Sequence, residues 1–215
     1  MPAEFFGVAA RWPFVCNEVN IMTTLAIYRE NGELLEATQD FETIANKLHG
    51  VGVLFERWRA DRKLDDAASQ DEIIAAYRGS VDRLMGHYNF KSADVISLTS
   101  DHPDKEALRN KFLDEHTHSD FEVRFFVDGQ GLFFIHADDR VYAILCKQGD
   151  LISVPAETPH WFDMGAEPRL KCIRLFTTPE GWVANYTGSA IAKQFPTLDI
   201  FMTTVGDGSF VSRRG

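Results

Sequence analysis

Three histidines and a glutamate near the middle of the chain have the types and spacing of a metal site. His116, His118 and Glu122 occur in the run EHTHSDFEVRFFVDGQGLFFIH, which is otherwise rich in Phe, Val, Ile and Leu. Because successive side chains of a strand alternate between its two faces, residues of equal parity share one face. A regular strand would therefore project two imidazoles and one carboxylate into the same cavity, with Arg124 next along that face.

A fourth ligand is available from a turn further along the chain. His160 ends the sequence VPAETPH, in which a short apolar strand leads into a turn that contains two prolines. Since proline fixes its own backbone angle φ, such a turn can aim one side chain in a fixed direction. We therefore predict that His160 joins the other three residues.

The composition of this set indicates which metals it could bind. Three neutral imidazoles and one carboxylate suit Fe²⁺, Ni²⁺, Mn²⁺ or Zn²⁺, whereas Ca²⁺ and Mg²⁺ prefer oxygen ligands. A structural zinc site would be closed and richer in cysteine. Four protein ligands on an octahedral ion leave two positions open, which can bind a chelating substrate. The pattern is thus typical of a catalytic metal.

The remaining histidines favour structural interpretations. A lone histidine in a strand is more often a structural residue than a ligand. His136 shares the even parity, but it lies beyond a predicted turn at residues 128–131, where parity no longer carries over. It either supports a metal ligand from behind or is purely structural. His49, His87 and His102 fall on helices or connections and are interpreted as structural.

The rest of the sequence predicts helices first and strands afterwards. Helical spacing predicts helices at residues 40–49, 69–85, which opens with a capping box from Ser69 to Glu72, and 104–113, with short strands at 25–28 and 51–58. After Asp114 the period changes to 2, which predicts strands at 122–127, 131–136, 141–146, 151–154 and 170–176. Short strands at this spacing favour an antiparallel barrel or jelly roll, flanked by the N-terminal helices.

Charge and cysteine usage exclude several classes of protein. The chain has 215 residues and a formal net charge of −10, which disfavours nucleic acid and anionic membranes as partners. Its three cysteines are far apart and form no CxxC pair, so neither a disulfide framework nor a thiolate metal site is expected. We expect a cytoplasmic protein, because the sequence contains no apolar run of about 20 residues and no signal peptide.

The length favours a single domain with short additions at both ends. We expect one domain at residues 22–201, preceded by an N-terminal extension at 1–21 and followed by a C-terminal tail at 202–215. Met22 is a candidate for the native start, since a strand-like run begins directly after it.

Two motifs resemble those of the cupin superfamily. HTHSDFEVRFFVDG, from His116 to Gly129, matches the first cupin motif, HxHx3Ex6G, and GDLISVPAETPH follows the second, GxxxxxPxGxxH. The resemblance implies a mainly β fold, the cupin double-stranded β-helix or jelly-roll barrel. Two positions depart from the motifs, since Glu157 and Asn110 stand where glycine is usual. Both concern local turns rather than ligands.

Within the cupins, the sequence resembles the acireductone dioxygenases of methionine salvage from about Met22 to Phe201. The specific blocks are VLFERWRADR, DVISL, KEALRNKFLDEHTHSDFEVRFFVDGQGLF, DLISVPAETPHWFDMG and IRLFTTPEGWVANYTG. The resemblance implies a metal-binding set of His116, His118, Glu122 and His160, which are also the residues chosen by parity and turn position.

The resemblance implies an oxidoreductase with one Fe²⁺ or Ni²⁺ per chain. Such an enzyme cleaves 1,2-dihydroxy-5-(methylthio)pent-1-en-3-one with O₂, giving 4-methylthio-2-oxobutanoate and formate with Fe²⁺. With Ni²⁺ it gives 3-methylthiopropanoate, formate and carbon monoxide. The resemblance also implies a monomer. Two alternatives stay open: another metal-dependent cupin enzyme, an isomerase or decarboxylase, and a cupin barrel that only binds a ligand.

The resemblance also assigns roles around the metal. Arg124 would stabilise the dianionic substrate, since a guanidinium stays charged and can bind paired oxygens. Arg174 would add a second cation, unless it forms an ordinary salt bridge. Phe112 and Phe162 would flank the metal and receive the methylthio tail, although each also fits a core position. Glu115 would act in acid/base chemistry or metal loading, or would be an exposed carboxylate at a helix end.

Overall fold

The computed structural model describes residues 22–178 and 183–205. The predicted extension at 1–21 and the part of the predicted tail from 206 onwards lie outside the described residues. The elements in chain order are β1 (Thr24–Arg29), β2 (Leu34–Thr38), α1 (Phe41–His49), β3 (Leu54–Arg57), α2 (Gln70–Ala76), α3 (Arg78–Tyr88), β4 (Ser92–Leu98), α4 (Lys105–Leu113), β5 (His116–Thr117), β6 (Glu122–Ala137), β7 (Arg140–Lys147), β8 (Asp150–Val154), β9 (His160–Asp163), β10 (Leu170–Phe176), β11 (Asn185–Tyr186) and α5 (Leu198–Val205).

Two antiparallel sheets share the long strand β6. Its first half pairs with β8 and β10, and its second half pairs with β7 and β9. One sheet therefore has the order β4-β10-β6-β8-β3, and the other has the order β11-β5-β9-β6-β7-β1-β2. The predicted class, a mainly β jelly-roll barrel with flanking helices, is confirmed. No helix among the described residues is long and apolar enough to cross a membrane.

The predicted turn at residues 128–131 is wrong, because β6 is one strand of 16 residues. The chain changes sheet here without reversing, and its pairing with β10 shifts register at this point. Gly129 has φ +72°, and a Cβ atom on it would lie 1.9 Å from the carbonyl oxygen of Arg169. The irregularity also reverses parity: Phe126 packs in the barrel interior before it, and Phe133 does so after it.

The barrel interior is apolar, and each sheet is covered on its outer face. Side chains from both sheets, such as Phe126, Phe133 and Phe162, form the interior cluster. On one outer face α2 and α3 pack against β6 and β10. On the other, the segment from Ile191 to Phe201 packs against Phe134 and neighbouring side chains. These two outer layers hold in place the strands from which His116, His118, Glu122 and His160 are presented.

The helical region differs from its prediction at one point. The capping box of Ser69 and Glu72 is present, and it begins α2. The single helix predicted for residues 69–85 is wrong, since Tyr77 has φ −113° and ψ 18° and separates α2 from α3. The Tyr77 hydroxyl accepts a hydrogen bond from the amide of Arg62 at 3.2 Å, which ties this break to the preceding loop.

Candidate metal centre

Short strands at one end of the barrel bring the four predicted ligands together. His116 on β5 pairs directly with His160 on β9, and Glu122 begins β6. His116, His118, Glu122 and His160 are each at most 3% exposed. One potential ligand atom from each lies within 4.8 Å of those of the others. The sequence therefore predicted a set of residues that is close enough to bind a single ion.

The three imidazoles are oriented by backbone carbonyl groups. Each Nδ1 atom forms a hydrogen bond with a carbonyl oxygen: His116 with Asp114 at 2.8 Å, His118 with Val183 at 2.9 Å and His160 with Thr158 at 2.8 Å. Because a carbonyl oxygen can only accept, Nδ1 carries the proton in each ring. Nε2 is then the ring atom that would bind a metal, as in protein metal sites in general. In His118 and His160 the metal would replace the proton that Nε2 shares with Glu122.

The Nε2 atoms point toward the centre of the set. Those of His118 and His160 each lie 2.9 Å from Oε2 of Glu122. Nε2 of His116 is buried and has no hydrogen-bond partner among the residues that the structure describes. A divalent ion would satisfy this atom and the three beside it, so the residues fit a bound metal.

The charge states also suit a metal. Burial and the nearby His160 lower the pKa of His116 to about 4, so this imidazole is neutral at physiological pH. Burial alone would raise the pKa of Glu122, but the charge of Arg124 and the hydrogen bonds from His118 and His160 keep it well below its ordinary value. The set therefore presents a neutral imidazole and an anionic carboxylate.

Arg124 lies beside the four residues within a group of aromatic rings. Its Nε donates to Oε1 of Glu122 at 2.7 Å, and the residue is 1% exposed. The centre of the guanidinium lies 4.4 Å from the Phe162 ring, 5.2 Å from the Phe133 ring and 5.7 Å from the Phe112 ring. Each ring face attracts the cation. The structure thus brings the predicted Arg124, Phe112 and Phe162 together.

Phe133 was missed, and the reason is the register of β6. Its odd number assigns it to the outer face if the parity of Glu122 is extended along the strand. The shift near Gly129 places it inside instead. Gly131 contributes to the same arrangement, because a Cβ atom there would lie 2.3 Å from Cζ of Phe162. Only glycine leaves room for that ring.

Arg174 lies opposite Arg124 on the neighbouring strand β10. Its guanidinium forms two hydrogen bonds with Asp94 on β4, from Nε at 2.7 Å and from Nη2 at 2.6 Å. The predicted second cation is therefore near Arg124 but is engaged with a carboxylate. Its role in substrate binding stays a prediction.

Glu115 is buried rather than exposed, with 4% of its surface accessible. Its Oε1 atom lies 2.7 Å from Nδ1 of His136, and its Oε2 accepts from the Thr187 hydroxyl at 2.6 Å. Nε2 of His136 lies 2.8 Å from Glu30. Burial alone would lower the pKa of His136, but its bonds with Glu30 and Glu115 raise it above its ordinary value. The acid/base role of Glu115 stays a prediction.

The segment from Val183 to Thr187 borders the metal centre. Its strand β11 pairs with β5, so that Tyr186 lies opposite His116. The Tyr186 ring is 6.0 Å from the His116 ring, and its hydroxyl donates to the carbonyl of Lys111 at 2.8 Å. No residue of this segment was predicted to belong to the site, although the segment lies within one of the blocks that carry the family resemblance.

Comparison with known proteins gives concordant matches. Residues 24–184 match the model of the ARD/ARD′ family. An acireductone dioxygenase from Aquifex aeolicus is 59% identical over 83% of this chain and 97% of that protein. One from Methylococcus capsulatus is also 59% identical, over 84% of this chain and 98% of that protein. A solved acireductone dioxygenase from Bacillus anthracis, with a cadmium ion in its active centre, is 30% identical, covers 77% of this chain and 98% of that one, and has a TM-score of 0.70.

Proposed function

Because this chain belongs to the acireductone dioxygenase (ARD/ARD′) family, we propose that it is a metal-dependent dioxygenase that cleaves an acireductone with O₂. The observation that carries this proposal is the convergence of His116, His118, Glu122 and His160, with ligand atoms within 4.8 Å, beside the buried cation of Arg124. The proposal is supported by matches that cover 97% and 98% of the length of those two relatives.

The four residues would bind one divalent ion, whose chemistry is to polarise the paired oxygens of the enediol and O₂. Nδ1 of each histidine is held by a carbonyl, so the ligands are oriented before metal binds. This arrangement lowers the conformational entropy lost on binding. The same ligands accept several transition metals.

Arg124 supplies positive charge next to the position of the substrate oxygens. Its Nε is committed to Glu122 at 2.7 Å, which fixes the direction of the guanidinium. In a site this deeply buried, a fixed cation stabilises a developing anion more strongly than it does in water. The surrounding rings of Phe112, Phe133 and Phe162 restrict water at the reacting atoms and offer an apolar surface to a methylthio tail.

We propose that the bound metal is Fe²⁺ or Ni²⁺ and that it decides the products. With Fe²⁺ the products would be formate and 4-methylthio-2-oxobutanoate, the reaction of methionine salvage. With Ni²⁺ they would be formate, carbon monoxide and 3-methylthiopropanoate. Elemental analysis of protein purified from its native host identifies the metal that is bound there.

The proposal is tested by loading metal-free protein with Fe²⁺ or Ni²⁺ and mixing it anaerobically with a desmethyl acireductone. Admitting O₂ should cause loss of the enediolate absorbance, and carbon monoxide should form with Ni²⁺ but not with Fe²⁺. No turnover by fully metallated, folded protein would exclude the proposed activity and favour another cupin enzyme or a binding module.

A pair of arginine variants separates the two predicted cations. Arg124→Lys replaces the planar guanidinium beside Glu122 with a single ammonium group. We expect kcat to fall by roughly tenfold or more, with metal still bound. Arg174→Lys alters a cation that is engaged with Asp94. An unchanged KM in Arg174→Lys would argue against its predicted part in substrate binding.

Size-exclusion chromatography tests the predicted monomer, and fractionation of host cells tests the predicted cytoplasmic location.

A further inference from the structure

A hydrogen-bonded network lies behind the metal centre, on the outer side of β6. Ile135 packs in the barrel interior, so the next side chain, His136, lies on the opposite face. His136 connects Glu30 and Glu115, and Glu115 also accepts from the Thr187 hydroxyl at 2.6 Å. We call Glu115, His136 and Thr187 the clasp.

Glu115 and His136 are each connected closely to a metal ligand through the backbone. Glu115 immediately precedes His116 in the sequence. The backbone amide of His136 donates to the carbonyl of Pro159 at 2.9 Å, and Pro159 immediately precedes His160. The His136 side chain therefore ties the chain that presents His116 to β6, and the β6 backbone at the same residue holds the chain that presents His160.

Thr187 extends the same network to a third ligand. Its amide donates to the carbonyl of Glu115 at 3.1 Å, in addition to the bond from its hydroxyl. These bonds anchor the end of β11, which pairs with β5. The same segment begins at Val183, whose carbonyl accepts from Nδ1 of His118 at 2.9 Å. Thr187 thereby fixes the carbonyl that orients the His118 ring.

The clasp uses polar and charged side chains where apolar ones would be enough to pack the chains together. Burying a carboxylate is unfavourable unless it is paired, so apolar side chains at these positions would close the chains together at lower cost. Glu115 is instead 4% exposed and is bonded through both oxygens. Directed bonds of this kind fix orientation, which apolar contacts do not.

We propose that Glu115, His136 and Thr187 are positioning residues that set the orientation of His116, His118 and His160 toward the metal. They act through the backbone of the ligand strands and do not touch the ion. This inference rests on the metal dependence of the proposed function, but it can be measured on the metal alone.

The test uses Co²⁺ as a spectroscopic probe, in protein without substrate. Thr187→Val removes one hydroxyl from an exposed residue, so the fold should be retained. We expect Co²⁺ to bind about tenfold more weakly and its visible absorption bands to shift, since partners behind the ligands typically change metal affinity by this factor or more. Thr187→Ser keeps the hydroxyl and should restore both properties.

A matched control removes a similar bond elsewhere. Thr23 donates its hydroxyl to the buried carboxylate of Asp150 at 2.5 Å, far along the chain from the ligands. Thr23→Val should lower thermal stability and leave Co²⁺ affinity and absorption unchanged. If Thr187→Val binds Co²⁺ with wild-type affinity and absorption, or if Thr23→Val weakens Co²⁺ binding equally, the clasp has no positioning role.

A double variant tests whether the clasp acts as one unit. His136→Gln and Thr187→Val both act through Glu115, so their losses of Co²⁺ affinity should be less than additive when combined. Fully additive losses would overturn the proposal. Because no acireductone is present, these outcomes do not depend on whether that compound is the substrate.

Discussion

Glu122 joins the metal ligands to the cation beside them. Its Oε2 atom contacts the Nε2 atoms of His118 and His160, while Oε1 accepts from Arg124 at 2.7 Å. Both Glu122 and Arg124 are 1% exposed. One carboxylate is therefore the anionic partner of both a bound metal and the guanidinium, so its loss should affect both function and folding.

We predict that Glu122→Gln loses metal and also destabilises the metal-free protein. The amide is neutral, which removes the charge interaction between Glu122 and Arg124, and breaking a buried ion pair in this way costs about 3–5 kcal/mol. Urea unfolding of the metal-free forms and chelator competition measure the two effects.

Glu167→Gln is the matched control for this change. Glu167 pairs with Lys105 at the surface, with 70% of its side chain exposed, and such pairs contribute little. Its free energy of unfolding should stay within about 0.5 kcal/mol of wild type. Wild-type stability of Glu122→Gln without metal would show that Arg124 does not depend on this carboxylate.

Parity placed His116, His118, Glu122 and Arg124 in one set, although the single strand that it assumed is divided, with His116 on β5 and Glu122 and Arg124 on β6. It could not predict the carbonyl groups that orient the rings, because any residue type can supply a carbonyl. The Val183 carbonyl is also 65 residues from His118 in sequence. Such partners depend on strand pairing rather than on local pattern.

At the scale of elements, the turn before β9 contains a strained residue. Glu157 has φ +60°, in the left-handed region that disfavours residues with a Cβ atom. It stands where the cupin motif has glycine, and its amide donates to the carbonyl of His118 at 2.8 Å. The departure seen in sequence therefore coincides with backbone strain beside a ligand.

We predict that Glu157→Gly stabilises the protein by about 1 kcal/mol, because glycine adopts this conformation without steric cost. A gain of this size should raise the Tm by roughly 2–4 °C in a domain of this length. Differential scanning calorimetry of metal-free protein measures it. A lower Tm would mean that the side chain of Glu157 contributes more than its strain costs.

Replacing a glycine is predicted to destabilise the protein at Gly131, in contrast to introducing one at Glu157. In Gly131→Ala the new Cβ atom would lie 2.3 Å from Phe162, so the ring must move away from its position over Arg124. We expect a destabilisation of about 1–3 kcal/mol from overpacking and a lower kcat. Thermal unfolding and turnover of the metal-loaded protein measure these effects.

Gly79 in α3 provides the control for an added methyl group. Apart from its chain neighbours and the backbone of its own helix, no atom lies within 4 Å of a Cβ placed there, among the residues that the structure describes. Gly79→Ala should stabilise the helix by about 0.5–1 kcal/mol and leave turnover unchanged. Equal kcat values for Gly131→Ala and wild type would show that Phe162 can move without affecting the reaction.

The course of β6 shows where prediction of elements fails. Asp128-Gly129-Gln130-Gly131 has the composition of a turn, and local rules predict a reversal there. In the fold the glycines serve close approach instead, Gly129 to Arg169 and Gly131 to Phe162. Whether a glycine serves a turn or a contact is decided by residues distant in sequence.

At the scale of the whole molecule, Asp163 connects three parts of the fold. This carboxylate is 1% exposed and lies on β9. It accepts from Arg109 on α4 at 2.7 and 2.9 Å and from the amide of Leu198, at the start of α5, at 2.8 Å. α4 also carries Phe112, so the same carboxylate links the C-terminal layer to the wall of the metal centre.

Asp163→Asn should therefore destabilise the protein by about 1–3 kcal/mol at pH 7, since Arg109 then keeps only the half-exposed carboxylate of Asp199, 3.3 Å away, as a charged partner. The pH dependence follows from the pKa of Asp163: burial alone would raise it, but the bonds from Arg109 and the Leu198 and Gly165 amides keep it below its ordinary value. A carboxylate with a lowered folded-state pKa stabilises the fold above its unfolded pKa of about 3.9. That contribution disappears as pH falls through the folded-state pKa.

The difference in free energy of unfolding between wild type and Asp163→Asn should hence be constant from pH 7 to about pH 5 and shrink below about pH 4. Urea unfolding of both metal-free proteins across this range measures it. A difference that persists undiminished at the lowest pH would assign the loss to altered packing of the amide, and not to the charge that joins α4, β9 and the C-terminal layer.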